Sequence, residues 1–266
     1  MRTLIDVLRH EKANNYHGGI YHKLQIDFAY NSNHIEGSKL THDQTRYIFE
    51  TNTIGVEKSD AININDIYET VNHFRCFDYL IDTYNVPLSE GYIKDLHRTL
   101  KSGIIDKYAI IGDYKSLPNS VGIHETTLPQ NVPIEMNTLL EQYSESKLSL
   151  YDIADFHVKY ESIHPFYDGN GRTGRLIMFK QCLDNDILPF VINDRDKMFY
   201  YKGLDEWQTG NDPERLVNVL LAAQDEMEAA LKYFNIEYTR TENTYAEVMS
   251  NVDKSLDTTS KHNNRR

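Results

Sequence analysis

At 266 residues, 40% of them hydrophobic, the chain has the material for one large domain, or a core with extensions. Twenty-eight Lys and Arg against 40 Asp and Glu leave a net charge of −12, which speaks against nucleic acid or an anionic membrane as a partner. There is no run of 18 apolar residues and no apolar stretch in the opening MRTLIDVLRHEK, so neither a membrane span nor a signal peptide is expected; Cys76 and Cys182, far apart and in apolar surroundings, read as reduced thiols of a cytoplasmic protein.

In chain order, Thr41 followed by Gln44 has capping-box spacing ahead of an amphipathic run to Glu50. Ile67, Val71, Phe74, Asp78 and Ile81 follow a helical period. From Ile110 to Pro133 the period breaks: Gly112, Pro118, Gly122, Pro129 and Pro133 interrupt any helix while Thr, Val and Ile alternate with polar residues, which predicts an irregular hairpin acting as a flap. Leu139 and Leu140 lie in a helical run after Pro133, Ile153, Phe156, Tyr160 and Ile163 mark another, and Leu176, Ile177, Phe179, Cys182 and Leu183 open a third. Beyond about Tyr238 the pattern thins into SLDTTSKHNNRR, a polar end expected to be mobile. The fold class is therefore all-α with one short hairpin.

Between two of these helices lies HPFYDGNGRTGR, His164 to Arg175. A loop that ends one helix and opens the next turns free N–H groups and the helix dipole toward an anion. Gly169 and Gly171 allow close backbone approach. Arg172 and Arg175, three apart, can reach one polyphosphate, and Asp168 offers the hard oxygen that Mg²⁺ takes beside substrate phosphates. The imidazole of His164 can take a proton from an attacking hydroxyl. These are the parts of a phosphorus-transfer site.

The twelve residues match every fixed position of HxFx(D/E)GNGRxxR, and on them the chain resembles the Fic family. The resemblance implies a helical Fic core and transfer of AMP from ATP to a Ser, Thr or Tyr hydroxyl of a target protein, with Mg²⁺, for which Mn²⁺ can substitute. It casts His164 as base and Asp168 as metal ligand. Asn170 with the Gly169 and Gly171 amides forms the anion hole, Arg172 holds the phosphates and Arg175 the γ-phosphate; Phe166 is core packing. Gly171 stands where relatives acting as kinases carry Lys. Upstream, Ser32 to Gly37, SNHIEG, is similar to the family's inhibitory motif (S/T)xxxE(G/N), placed before the core as in class II members. It implies that Glu36 occupies the Arg175 fork, with the Ser32 hydroxyl steadying the carboxylate or an anion-hole group. Taken alone, Asn33 followed by Glu36 also has near capping-box spacing.

On this reading residues 1–60 form an N-terminal helical extension with the inhibitory helix, 61–235 the Fic core and 236–266 a polar C-terminal extension. The segment from Asp113 to Pro133 resembles the family's flap, which aligns an extended target segment, with Leu117 and Val121 as contacts. RDKMFYYKGLDEWQTG resembles the helix that closes over the nucleotide and puts Tyr200, Tyr201 and Gln208 near the adenosine; family members often have Asn and then Gly-Asp where this chain has Gln208 and then Gly210-Asn211, which loosens the inference to ATP. His97, His124 and His157 lack any such constellation and read as structural. Some of the nineteen tyrosines could accept AMP in self-modification, and the target protein is not legible. Self-association fits an acidic protein of this family, though no segment marks an interface. The alternatives are transfer of UMP or phosphocholine, a metal-dependent phosphohydrolase, and a non-catalytic ATP-binding or partner-binding module.

Overall fold

The computed structural model describes residues 3–55, 61–104, 110–122, 124–144 and 147–252, so the end SLDTTSKHNNRR lies outside the described residues. The first half holds α1 (Leu4–Ala13), α2 (Ile20–Ile35), α3 (His42–Thr51), α4 (Ile64–Asp82) and α5 (Glu90–Leu100). A ribbon of β1 (Ser120–Val121) and β2 (His124–Glu125) follows, then α6 (Val132–Gln142), α7 (Leu150–Ile163) and α8 (Asn170–Asp184). A single 3₁₀ turn (Asp194–Asp196), α9 (Lys197–Gly210), α10 (Glu214–Tyr233) and a last helical stretch from 245 complete the described chain. The all-α class holds, with two short strands paired antiparallel, Ser120 opposite Glu125 and Val121 opposite His124. No helix among the described residues is long and apolar enough to cross a membrane.

Local sequence explains the helix starts. Thr41 and Gln44 form the expected capping box, and Thr3 with Asp6 and Ser149 with Asp152 form two more at α1 and α7. Most helices pack around two large apolar clusters, while α3 seats Ile48 in a small third one with Ala29, Leu40 and Phe74. One of the two joins α1 and α2 to α4, α5, α7 and α8 through Leu8, Phe28, Phe77, Leu96, Phe156 and Phe179. α1 and α2 thus share a core with the helices after them. The other unites α7, α9 and α10 around Trp207, Leu216 and Leu220. Val248, past the point where the pattern thins, is fully buried in this second cluster, so part of the C-terminal extension is packed.

α8 runs through the middle of both clusters and is buried on nearly every side. Such a helix is normally apolar all round. This one carries Asn170, Arg172, Arg175 and Lys180, all buried. Charges withdrawn from water need partners, and those of α8 single out the site.

Candidate active site

α7 stops at Ile163 because His164, its C-cap, adopts a left-handed conformation (φ 49°, ψ 62°) with its N–H still bonded to Tyr160 O at 2.9 Å. Pro165 then cannot continue the helix. A non-glycine residue in this region is a strained one, held by its surroundings. Phe166 is fully buried and stacks face to face on His97, with ring centroids 3.8 Å apart, the packing role expected of it. Asn170 closes the loop: its Oδ1 accepts from Phe166 N and its Nδ2 donates to Phe166 O, each at 2.8 Å. The Asn170 amide thus ties the turn together through both its oxygen and its nitrogen. Gly169 caps α8 with φ 86° and no side-chain cap bond, leaving the first-turn N–H groups for another acceptor.

Asp168 and Arg172 belong to a four-membered charge cluster. The Asp168 carboxylate is paired with the Lys101 ammonium and lies 3.5 Å from Arg172 Nη2. Glu69, from α4, bonds Lys101 at 2.8 Å and pairs with Arg172 Nη1. Burial pushes the Asp168 carboxyl up, but the Arg172 and Lys101 charges outweigh it and hold it at about 2. His97 fixes the same turn from below: Nε2 donates to Asp168 O at 3.0 Å while Nδ1 accepts from Gly112 N at 3.0 Å. That bond pattern needs a neutral ring, and burial lowers its pKa to about 4.

Arg175 is engaged by the end of α2. Its Nε donates to Ser32 Oγ at 3.0 Å, and its Nη2 donates to Ser32 O at 2.9 Å and to Glu36 Oε1 at 2.8 Å. Ser32 therefore holds the guanidinium, not the carboxylate. Glu36 is the C-cap of α2 and Gly37 follows with φ 98°, so SNHIEG ends a helix and the N-capping alternative for Asn33 does not apply. The Glu36 carboxylate also lies against Gly171, where any Cβ would collide with it. A carboxylate thus sits beside the α8 N-terminus on the arginine expected to take a phosphate.

A cavity of about 600 Å³ opens beside this loop between the ribbon and α9. Val121, Tyr201 and Gln208 line it, together with His124 and Glu161. Tyr200 does not: it is buried behind, its hydroxyl 2.7 Å from His157 Nε2. Leu117 is half exposed and outside the cavity lining. His124 spans the opening to Asp205 on α9 at 2.7 Å. The Tyr201 hydroxyl donates to Ile35 O at 3.2 Å, joining the cavity wall to the end of α2.

Sequence reasoning missed Lys101, Glu69 and Lys115. Lys115 is buried with its ammonium bonded to Asn119 Oδ1 and Thr126 Oγ1, each at 2.7 Å, and to Ile163 O at 3.2 Å, which ties both arms of the ribbon to the residue before His164. Glu161 was missed too, though its spacing of three from His164 on one helix was a readable signal. No group of three His, Cys, Asp or Glu among the described residues is placed to hold a metal. Asp168, ionised and with its side chain half exposed, fits the one-carboxylate pattern in which Mg²⁺ draws its other ligands from phosphate and water.

Residues 87–182 match the model of the Fic/DOC family. The chain is 28% identical over 186 residues to a protein adenylyltransferase Fic of Nematostella vectensis, covering 68% of this chain and 43% of that protein. It is 31% identical over 201 residues to the one of Drosophila willistoni, covering 73% of this chain and 37% of that protein. The chain spans about two fifths of the length of these relatives. A Fic domain containing signaling protein from Bacteroides thetaiotaomicron superposes with a TM-score of 0.71 at 25% identity, over 90% of this chain and 100% of that one. Fic-1 from C. elegans shares the fold at 20% identity, with a TM-score of 0.67 over 87% of this chain and 72% of that one.

Proposed function

Because the chain carries a Fic domain, we propose that it is a protein adenylyltransferase restrained by its own Glu36. The observation that carries the proposal is the Glu36 carboxylate seated on Arg175 against Gly171, an anion in the place where the loop is built to receive one.

In the reaction a target hydroxyl is placed by the ribbon above His164. Its oxygen forms a bond to the α-phosphorus of ATP as the bond to pyrophosphate breaks in line, and its proton passes to the imidazole. Arg172, Arg175 and the first-turn amides of α8 face the charge that develops on the leaving group. Asp168 would hold Mg²⁺, whose chemistry is to neutralise phosphate charge. Val121, Tyr201 and Gln208 are the wall for the nucleoside. Tyr200 supports that wall from behind, and Leu117 belongs to the outer face that meets the target. With Glu36 in place the Arg175 fork is occupied, so ATP binds with its phosphates displaced from the line of attack. The buried thiols Cys76 and Cys182 support a reducing, cytoplasmic setting.

The test is transfer from a panel of nucleotides by the Glu36→Gly protein, read by mass spectrometry of the labelled chain or a co-incubated lysate protein. A mass increase of one AMP from ATP alone supports the reading. Transfer of another group, or release of AMP or phosphate without labelling, would replace it.

A further inference from the structure

Glu161 lies on the last turn of α7, three residues before His164, with its Oε2 3.7 Å from His164 Nδ1. Residues three apart on a helix share a face, so the carboxylate sits under the imidazole. Each group lacks something the other could supply. His164 Nδ1 is buried without a hydrogen-bond partner, and so is the second oxygen of the facing carboxylate, Glu161 Oε1. An imidazole N–H and a carboxylate oxygen are complementary, and a shift of about 0.8 Å, within the reach of a side-chain rotation, closes the gap to a charge-assisted bond.

The place occupied by the carboxylate is built. On the facing helix α8, a Cβ at Gly174 would come within 2.9 Å of both Glu161 Oε1 and His157 Nδ1, so glycine is what lets the α8 backbone close over the pair. His157, 4.0 Å from Oε1, is held by the Tyr200 hydroxyl at 2.7 Å. Burial pushes the Glu161 carboxyl up, but His164, His157 and Arg175 outweigh it and hold the carboxyl below its ordinary range. Other charged or titratable groups around the pair are Tyr160 on α7, Arg175 on α8 and Tyr200 and Tyr201 on α9, with Glu36 from α2 on the far side of Arg175. The Lys115 ammonium reaches Ile163 O, beside His164.

We propose that Glu161 is a positioning residue for His164: it accepts the Nδ1 proton, fixes the ring as the Nδ1–H tautomer, and leaves the Nε2 lone pair to take the target hydroxyl's proton. This rests on the reading of His164 as the base of AMP transfer. In the step, the hydroxyl oxygen bonds to phosphorus, pyrophosphate leaves, and the proton moves to Nε2; the Nδ1 proton stays where it is. The imidazolium so formed faces an anion, which lowers the barrier as the orienting carboxylate of a Ser-His-Asp triad does.

In the Glu36→Gly background, Glu161→Gln should lower kcat by about 10-fold or more, with the KM for ATP changed by less than about 2-fold, as removal of a group acting only on the reacting base requires. The acidic limb of its pH–rate profile should move to lower pH, because the lost anion no longer favours the protonated ring. Glu161→Asp, which keeps the charge, should recover part of kcat and the wild-type pH profile. An unmoved pH profile in Glu161→Gln, or a raised KM with kcat intact, would make Glu161 a wall of the nucleoside cavity and overturn the proposal. A second readout needs neither activity nor a variant: ¹⁵N NMR of the His164 ring in the wild-type protein at pH 8 should show Nδ1–H with a bare Nε2. The opposite tautomer would overturn the proposal even if AMP transfer stands. Absence of labelling by Glu36→Gly, with the Nδ1–H tautomer present, would count against the transfer reaction while leaving the Glu161 pairing supported.

Discussion

Arg175 Nη2 donates to Glu36 Oε1 at 2.8 Å, joining the core of α8 to the end of α2 across 139 positions of sequence. The same guanidinium carries two bonds to Ser32, yet its Nη1 is buried and without a partner. An arginine so placed is only partly satisfied by its own chain, a state that an incoming phosphate, with more acceptor oxygens than one carboxylate, can improve.

Replacing Glu36 by Gly should therefore raise AMP transfer and lower stability together. The variant leaves a buried cation without its anion, a change that costs about 3–5 kcal/mol in full and less here, because Ser32 remains and Glu36 is partly exposed. We expect a melting temperature lower by several degrees, regained in part on adding ATP, whose phosphates replace the carboxylate. A melting temperature unchanged from wild type would mean that the Arg175–Glu36 pair contributes nothing to the resting fold.

Tyr201 links the cavity wall to the end of α2 through its bond to Ile35 O. Tyr201→Phe removes only the hydroxyl. One hydrogen bond is worth about 1 kcal/mol, so basal labelling at saturating ATP should rise about 5-fold in the otherwise native chain. In Glu36→Gly, where the restraint is already gone, the same change should do nothing to the maximal rate. Equal effects in both backgrounds would show that Tyr201 acts on the nucleotide and not on α2.

Glu69 is the shared anion of Lys101 and Arg172. Glu69→Gln would leave two buried cations on Asp168 alone, and we expect a loss of about 3–5 kcal/mol from chemical denaturation. A double variant, Glu69→Gln with Lys101→Met, removes one charge of each sign and should recover much of that loss. Additive losses in the double variant would show that the two residues do not act as a pair.

Stability should fall steeply in mild acid. Burial lowers the pKa of His73 to about 3, helped by Arg175 and Arg172, and those of His97 and His157 to about 4. Between these values and the ordinary 6.5, the unfolded chain binds protons that the folded chain refuses. The stabilisation is thus complete above pH 6.5 and is lost as pH falls toward about 4, each ring contributing a slope of about 1.4 kcal/mol per pH unit. Urea midpoints at pH 7 and pH 5 should differ clearly; equal midpoints would mean that these rings are protonated in the fold.

Much of the core was legible because it follows local rules. The Thr41–Gln44 capping box and the spacing from Ile67 to Ile81 and from Ile153 to Ile163 correspond to α3, α4 and α7. The active loop was legible because its chemistry is packed into twelve consecutive residues. What escaped depends on distant chain. Lys101 reaches Asp168 and Glu69 reaches Arg172 from other helices, and neither has a local pattern that distinguishes it from a surface charge. Val248 is one of few apolar residues in a mostly polar stretch, buried because α7, α9 and α10 form a cluster that accepts it. Glu36 could be matched to a motif, but its Ser32 neighbour bonds the arginine, a detail set by where α2 crosses α8.

The most direct measurement is covalent labelling of the purified protein with ATP carrying radiolabel at the α- or the γ-phosphate, in Mg²⁺, for wild type, Glu36→Gly, and Glu36→Gly with His164→Ala. Restrained AMP transfer predicts label from the α position only, weak in wild type, strong in Glu36→Gly and absent without His164. Label from the γ position, or equal labelling with and without His164, would contradict it.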